Sequence, residues 1–250
     1  MKYWRSFGGL LWLATGLAAA DTDALMREAL AAEARLDSQA ALRLYEQAAA
    51  ARPDDAFILQ KIARQYSDLV VEQPDPETKK RYARTALDYA QRAVTLKPDD
   101  PVNVLSLAVC HGKLAVYSDT KTKIRYSRLV KEEAERALAL DPDYAWAHHL
   151  LGRWHYEVAD LGATSKLFVR LFYGGLPPAS LAEGIRHLKR ATELEPDELN
   201  HWLELGFAHA AAGQRETARA EWTRGLAMSS RSKHDEPAKQ RARAALARLD

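Results

Sequence analysis

The sequence predicts an all-α fold of about five helical hairpins followed by a C-terminal capping helix. From Asp21 onward the good helix formers Ala, Leu, Arg, Glu and Lys dominate, and no alternating strand pattern appears. Four Pro-Asp steps, at Pro53, Pro98, Pro142 and Pro196, each follow an Ala-rich helical stretch. A helix breaker that recurs in the same context marks an internal repeat, and the repeat predicts stacked hairpins.

Residues 1–20 are typical of a secretory signal. Lys2 and Arg5 give a basic start, a short apolar core follows, and the alanines at 18–20 are the small residues that a signal peptidase requires. The alternative is a retained membrane anchor, but the apolar stretch is shorter than the roughly 20 residues that span a bilayer. We therefore expect cleavage and a periplasmic or secreted mature chain of residues 21–250.

The charge balance argues against a nucleic-acid partner. Without Lys2 and Arg5 the 36 basic side chains become 34, which equals the 34 acidic ones. A dedicated nucleic-acid binder usually carries a basic excess. The single cysteine, Cys110, lies in an apolar helical stretch, where a thiol is usually a small buried hydrophobe.

The last repeat resembles the tetratricopeptide repeat. Trp202, Leu205 and Gly206 match the W-x2-L-G start of its signature, and Ala218 and Trp222 follow in the second helix. The resemblance implies a right-handed superhelix. The predicted units are hairpins at about 22–53, 54–98, 99–142, 143–196 and 197–230, an apolar insert at 160–180 and a capping helix at 235–250.

The repeats are longer than the usual 34 residues. The Pro-Asp steps lie 45, 44 and 54 residues apart. An excess of 10 or 11 residues is close to three helical turns, so we expect two extended second helices, the first starting at Asp75-Pro76. The excess of 20 residues contains the apolar segment 167–173, which we expect to pack on this protein, a ligand, a partner or a membrane.

A more specific resemblance lies in the fourth repeat. The string Leu151-Gly-Arg-Trp-His-Tyr-Glu-Val-Ala159, followed by Pro177-Pro178 and a helix from Leu181, resembles the regulator of microtubule dynamics family. The similarity covers about 145–228 and, more weakly, 55–142. It implies a non-catalytic interaction protein with a tetratricopeptide-like array, some eukaryotic relatives being associated with microtubules, organelle contacts and lipid binding. For an exported bacterial relative, a helical groove for a peptide or a lipid is the property that would transfer.

The sequence predicts no catalytic residue, no cofactor and no metal. It contains no nucleophile motif, no Gly-rich phosphate loop and no HExxH. His111, His155 and His209 occupy the same position of successive repeats, too far apart to share one ion at bond lengths of about 2 Å. His148 and His149 are adjacent and project from different sides of a helix. We therefore expect structural roles for these histidines.

The candidate binding residues follow from the family architecture, in which the first helix of each hairpin lines the concave face. The predicted lining is Arg64, Val102, Leu105, Val109, Trp146, His149, Arg153, Tyr156, Leu203 and Phe207, together with Phe57, Gln60 and Asn200. Our leading hypothesis is a non-enzymatic exported scaffold that binds a protein or peptide there.

The insert leaves three alternatives open. The segment 164–178 is either a lid over a groove for a lipid or other apolar ligand, with Leu167, Phe168, Leu171 and Phe172 as its apolar residues, or a plug that only stabilises the array. In the lid hypothesis Arg153, with Arg64, holds an anionic head group. The third alternative is a peripheral membrane contact, because Lys166 and Arg170 share one side of a short apolar helix.

Overall fold

The computed structural model describes residues 10–249, and their side chains from residue 21 onward. The described residues are helical with short connections and contain no strand, which confirms the all-α prediction. The chain divides into two compact units, one ending at Lys97 and the other beginning at Pro98. No helix within the described range is long and apolar enough to cross a membrane.

The first unit contains two hairpins, in which α1 pairs with α2 and α3 with α4, while α2 also packs on α3. A short 3-10 turn follows α3. The elements are α1 (Leu10–Ala34), α2 (Ser38–Ala51), α3 (Ala56–Leu69), the 3-10 turn (Val70–Glu72) and α4 (Pro76–Leu96).

The second unit contains three hairpins, in which α5 pairs with α6, α7 with α9 and α10 with α11. The first helices α5, α7 and α10 contact one another in series, and α12 packs on both α10 and α11. The elements are α5 (Pro101–Val116), α6 (Thr120–Leu140), α7 (Ala145–Ala159), α8 (Ala163–Tyr173), α9 (Leu181–Leu194), α10 (Leu199–Ala211), α11 (Arg215–Ala227) and α12 (Asp235–Leu246).

Aspartate side chains start many of these helices. Asp55, Asp75, Asp100 and Asp119 each accept hydrogen bonds from backbone N–H groups of the first turn, an N-cap worth about 1 kcal/mol. A proline follows Asp75 and Asp100 at the first helical position, where no N–H is needed. The helices α4 and α6 each have 21 residues, which confirms the predicted extension of the second helices.

Glycines let paired helices approach closely. A Cβ on Gly206 would lie 2.5 Å from Nε1 of Trp222, and a Cβ on Gly152 would lie 2.7 Å from Leu188. Trp222 is fully buried, and its Nε1 donates to the carbonyl of Leu203 at 3.1 Å. The glycine and the tryptophan of the repeat signature are therefore two halves of one contact between α10 and α11.

The apolar insert forms α8, which has no buried residue. Leu167, Phe168, Leu171 and Phe172 are 46–69% exposed. Of the described helices, α8 packs beside α6, and it meets the end of α7 through a hydrogen bond from Lys166 to the Ala159 carbonyl. The plug hypothesis is therefore wrong, because a plug would bury these side chains. The lid hypothesis required α8 to cover the first helices, and α8 lies elsewhere.

Candidate binding face of the second unit

The exposed sides of the first helices α5, α7 and α10 form one candidate surface, which we call the first-helix face. Its exposure follows a regular rule. The fourth residue after the Pro-Asp proline is exposed at Val102 and Trp146, to 45% and 36%, and partly exposed at Asn200. The eleventh residue, Val109, Arg153 or Phe207, is partly exposed. These two positions supply the surface that a partner can touch.

The seventh residue after each proline is buried. Leu105 and His149 are almost fully buried, and Leu203 is completely so. Leu203 belongs to an apolar cluster with Trp222. Tyr156 is buried as well. These four predicted lining residues thus pack beneath the first-helix face and shape it without forming its surface.

A buried carboxylate organises the centre of the face. Glu204 on α10 is almost fully buried and accepts a hydrogen bond from Tyr156 Oη at 2.6 Å. It also forms an ion pair with Arg241 of α12, and Arg153 lies 3.8 Å away. On its other side Arg153 donates through Nε to Glu157 at 2.7 Å. Two guanidinium groups thus lie near Oε1 of the Glu204 carboxylate, while the Tyr156 hydroxyl donates to Oε2.

The electrostatics keep Tyr156 and Arg153 protonated. Burial and the neighbouring Glu204 raise the pKa of Tyr156 far above its ordinary value, so the phenol stays protonated and donates. Burial alone would lower the pKa of Arg153, but Glu204 and Glu157 raise it, and the guanidinium stays charged. The network therefore offers fixed donors at any ordinary pH.

Sequence reasoning missed Glu204 and Arg241. The available signal for Glu204 was a carboxylate flanked by Leu203 and Leu205 in an otherwise apolar helix, a position that demands a partner. Arg241 stood in the segment predicted only to be a capping helix. Its guanidinium instead lies over the ring of Phe207, 4.3 Å from the centroid, and pairs with Glu204.

Two pairs of histidines connect α7 to its neighbours. His149 meets His201 of α10 with 2.9 Å between their Nδ1 atoms, and the Trp146 ring lies against both. His148 meets His187 of α9 with 2.8 Å between Nδ1 atoms, and its Nε2 lies 3.0 Å from the Pro142 carbonyl. One Nδ1 of each pair must donate and the other accept, so each pair needs a neutral acceptor ring.

Burial keeps these rings neutral. It lowers the pKa of His149 to about 3, of His201 to about 2 and of His187 to about 4, and it also lowers the pKa of His148. His148 and His149 do project to different sides of α7, as expected, but no local pattern indicated that each would meet a second histidine. Within residues 10–249 no group of three or more His, Cys, Asp or Glu side chains is arranged to hold a metal ion.

Arg64 lies in the first unit, as do Phe57, which is 48% exposed, and Gln60, which is buried. Glu33 accepts there from Tyr45 Oη at 2.7 Å and from Lys61 at 3.0 Å, and Arg64 lies 3.2 Å from it. Burial, followed by Glu33, raises the pKa of Tyr45 beyond its ordinary range. The arrangement repeats that of Glu204: a carboxylate held by a tyrosine and two cations.

A solved structure shows the fold. The crystal structure of a thermophilic TPR protein in Thermus thermophilus is similar over 91% of this chain and 98% of that chain, with a TM-score of 0.64 and 19% sequence identity. At this identity the similarity shows the fold alone. The predicted tetratricopeptide-like hairpin fold is thereby confirmed.

Sequence comparisons identify the family. Regulator of microtubule dynamics protein 3 of Xenopus laevis is 29% identical over 158 residues, which are 63% of this chain and 32% of that protein. Regulator of microtubule dynamics protein 1 of Mus musculus is 25% identical over 145 residues, 58% of this chain and 48% of that protein. The match therefore spans about a third and about half of these relatives. The sequence model of regulator of microtubule dynamics proteins 1-3 matches residues 25–250, so the chain belongs to this family.

Proposed function

We propose that the protein is a non-enzymatic interaction scaffold that binds a protein or peptide segment on the first-helix face. The observation that carries the proposal is that exposed apolar side chains occur on the same face as arginine side chains held in fixed positions. Val102 and Trp146 stand outward, while Arg153 and Arg241, each more than 40% exposed, are held in place by Glu204. Interfaces of this kind use a few aromatic and arginine anchors within a polar surround.

The chemistry of the network favours a particular kind of ligand. Each guanidinium carries five N–H donors, and the pairs with Glu157 and Glu204 use only part of them. Two arginines and two glutamates balance in charge, so the face does not select a strongly charged partner. It suits a segment that places an apolar side chain near Trp146 and backbone carbonyls near the guanidinium groups.

The lidded lipid pocket receives less support and stays a prediction. A lipid head group would need a cation with uncommitted charge, whereas Arg153 is paired with Glu157 and lies near Glu204. The apolar residues of α8 lie beside α6 and away from the first helices. A stoichiometric lipid mass in native mass spectrometry of the purified protein would favour the lipid alternative over the scaffold.

The scaffold proposal is tested by selecting phage-displayed random peptides on the full chain and measuring their affinity by calorimetry. We expect Trp146→Ala and Arg153→Ala each to weaken a selected peptide about tenfold or more, as anchor residues do. The matched control is Leu140→Ala on α6, because Leu140 and Trp146 are 37% and 36% exposed. Equal weakening by the control, or peptides insensitive to both test variants, would refute this binding face.

We also propose that the protein acts after export. The support is the signal pattern of residues 1–20, of which 1–9 lie outside the described residues and 10–20 belong to α1. N-terminal sequencing of protein recovered from a periplasmic fraction is expected to begin at about residue 21. A chain that still begins with Met1 and stays in the cytosolic fraction would contradict export.

A further inference from the structure

The exposed side of α8 is the largest unexplained apolar feature of the second unit. Leu167, Phe168, Leu171 and Phe172, called here the insert patch, lie within an arc of about 140° at about 100° per residue. The rings of Phe168 and Phe172 lie 4.9 Å apart and so form one continuous surface. Soluble proteins seldom leave four neighbouring large apolar side chains 46–69% exposed without a use.

The helix that carries the patch is held in place. Arg128 of α6 donates to the carbonyls of Tyr173 and Gly175, which cap the C-terminus of α8. Gly174 and Gly175 have φ values of 76° and 84°, and this left-handed backbone ends the helix. At the other end, Lys166 Nζ donates to the Ala159 carbonyl at 2.6 Å. The patch is thus presented in a fixed orientation before it meets anything.

The surroundings of the patch are basic. No acidic residue occurs between Leu161 and Ala182, while Lys166 and Arg170 lie along one edge of the patch. The neighbouring helix α6, whose Arg128 contacts the end of α8, also carries the exposed cations Lys121, Lys123 and Arg125 in its first half, after the N-cap Asp119. This local excess contrasts with the nearly neutral chain as a whole.

We propose that α8 docks the second unit on an anionic lipid surface, with the insert patch among the acyl chains and the surrounding cations at the phosphates. An apolar stripe with a cationic edge on a short helix is the arrangement of helices that lie in a membrane interface. Eleven residues give a helix of about 16 Å, which is about half of the hydrocarbon thickness. The helix therefore lies on the bilayer and does not cross it.

The observations favour a membrane over a protein as the occupant. The patch is a single protruding helix, whereas a stable protein interface covers about 800 Å² on each partner. A second copy of this chain, paired through the same patch, would place two sets of Lys166 and Arg170 in one interface. An anionic bilayer needs only a small apolar area, because the cations supply the remaining attraction.

The test is co-sedimentation of the full mature chain with phosphatidylcholine vesicles that contain about 30 mol% phosphatidylserine. We expect binding that weakens with added salt and falls strongly on vesicles without phosphatidylserine. The double variant Leu171→Ser/Phe172→Ser is expected to lower the partition coefficient at least about tenfold. Arg170→Gln is expected to lower it about fivefold, the effect of one surface cation.

The control variant is Val116→Ser at the end of α5. Val116 is 67% exposed, close to Phe172 at 68%, and it lies outside the insert patch. Because these side chains are exposed, all variants should keep the wild-type thermal unfolding midpoint.

Absence of binding to anionic vesicles, or equal loss with Val116→Ser, would overturn the proposal. So would a dimer of the wild-type chain that Leu171→Ser/Phe172→Ser abolishes while vesicle binding is unchanged. The insert patch and the first-helix face share no residue, so peptide binding and vesicle binding can fail separately.

Discussion

At the scale of single residues, the second unit depends on one buried carboxylate. Glu204 receives the Tyr156 hydroxyl and the Arg241 guanidinium at a site with almost no solvent. Removing one partner from a buried polar contact costs more than the contact itself contributes, because the other partner stays desolvated. Tyr156 is that partner, because it is buried and its hydroxyl donates to Glu204.

We expect Glu204→Ala to lower the free energy of unfolding by about 1–3 kcal/mol, the cost of an unsatisfied buried hydroxyl. Arg153 and Arg241 are partly exposed and regain water, which keeps the loss below that of a fully buried ion pair. Urea unfolding followed by far-ultraviolet circular dichroism gives the value. Glu157→Ala is the control and should stay within about 0.5 kcal/mol of wild type, because Glu157 is half exposed. Equal losses in the two variants would contradict the central role of Glu204.

At the scale of elements, the close approach of α10 and α11 depends on a missing side chain. A methyl group at Gly206 would meet the Trp222 indole ring, which is fully buried and cannot move into solvent. Overpacking of this kind costs about 1–3 kcal/mol, more than the helix propensity gained from alanine at that position.

Gly206→Ala is therefore expected to destabilise the second unit by about 1–3 kcal/mol. Near-ultraviolet circular dichroism, which reports the environment of Trp222, should change in parallel with the unfolding midpoint in urea. The matched variant is Gly162→Ala, because a Cβ there meets nothing within 4 Å and φ is −58°. If both variants were as stable as wild type, the contact between Gly206 and Trp222 would not limit the packing.

The sequence predicted where the helices lie in the chain better than it predicted which side of each helix is buried. Pro-Asp steps and glycines act locally, so the hairpins and the long α4 and α6 could be predicted. The seventh residue after the Pro-Asp proline, such as Leu105 or His149, is buried because the neighbouring first helix packs closely. No local sequence pattern shows how close that helix lies. Arg241 of α12 lies 37 residues from Glu204 in the sequence, so no helical repeat pattern could have indicated that the two side chains pair. Apolar content predicted that 167–173 would pack on this protein, a ligand, a partner or a membrane, but it could not choose among them; the structure shows that Leu167, Phe168, Leu171 and Phe172 are not buried within this chain.

At the scale of the whole molecule, both units use the same polar device. Glu33 with Tyr45 in the first unit and Glu204 with Tyr156 in the second each place a carboxylate under a tyrosine hydroxyl, at 2.7 Å and 2.6 Å. The two units differ in their histidines, since the buried pairs His148–His187 and His149–His201 belong to the second unit.

This difference predicts how stability depends on pH. The folded second unit keeps His149, His187 and His201 neutral, whereas the unfolded chain protonates histidine below about pH 6.5. The unfolded chain then binds more protons, so these groups contribute their full stability above about pH 6.5. The contribution is lost as the pH falls from there towards about 4 for His187, and lower for the other two. Each group changes the free energy of unfolding by up to about 1.4 kcal/mol per pH unit.

Urea unfolding at pH 7 and pH 5 measures this effect above the range in which ordinary carboxylates titrate. We expect the free energy of unfolding of wild type to be several kcal/mol lower at pH 5 than at pH 7. Each of the three buried histidines contributes about the 1.4 kcal/mol that corresponds to one pH unit. The variant His149→Leu/His201→Leu should lose less over the same interval, because two of the titrating groups are gone. Equal stability of wild type at the two pH values would contradict the neutral pairs.

The pairing of Arg241 with Glu204 makes the surface beside Glu204 depend on the last described helix. Arg241 comes from α12, whereas Tyr156 and Glu204 belong to α7 and α10. A chain that ends after α11 would still carry Trp146 and Arg153 but would lack the second guanidinium. The capping helix thus both covers the end of the array and completes the charged surface of the hairpin before it.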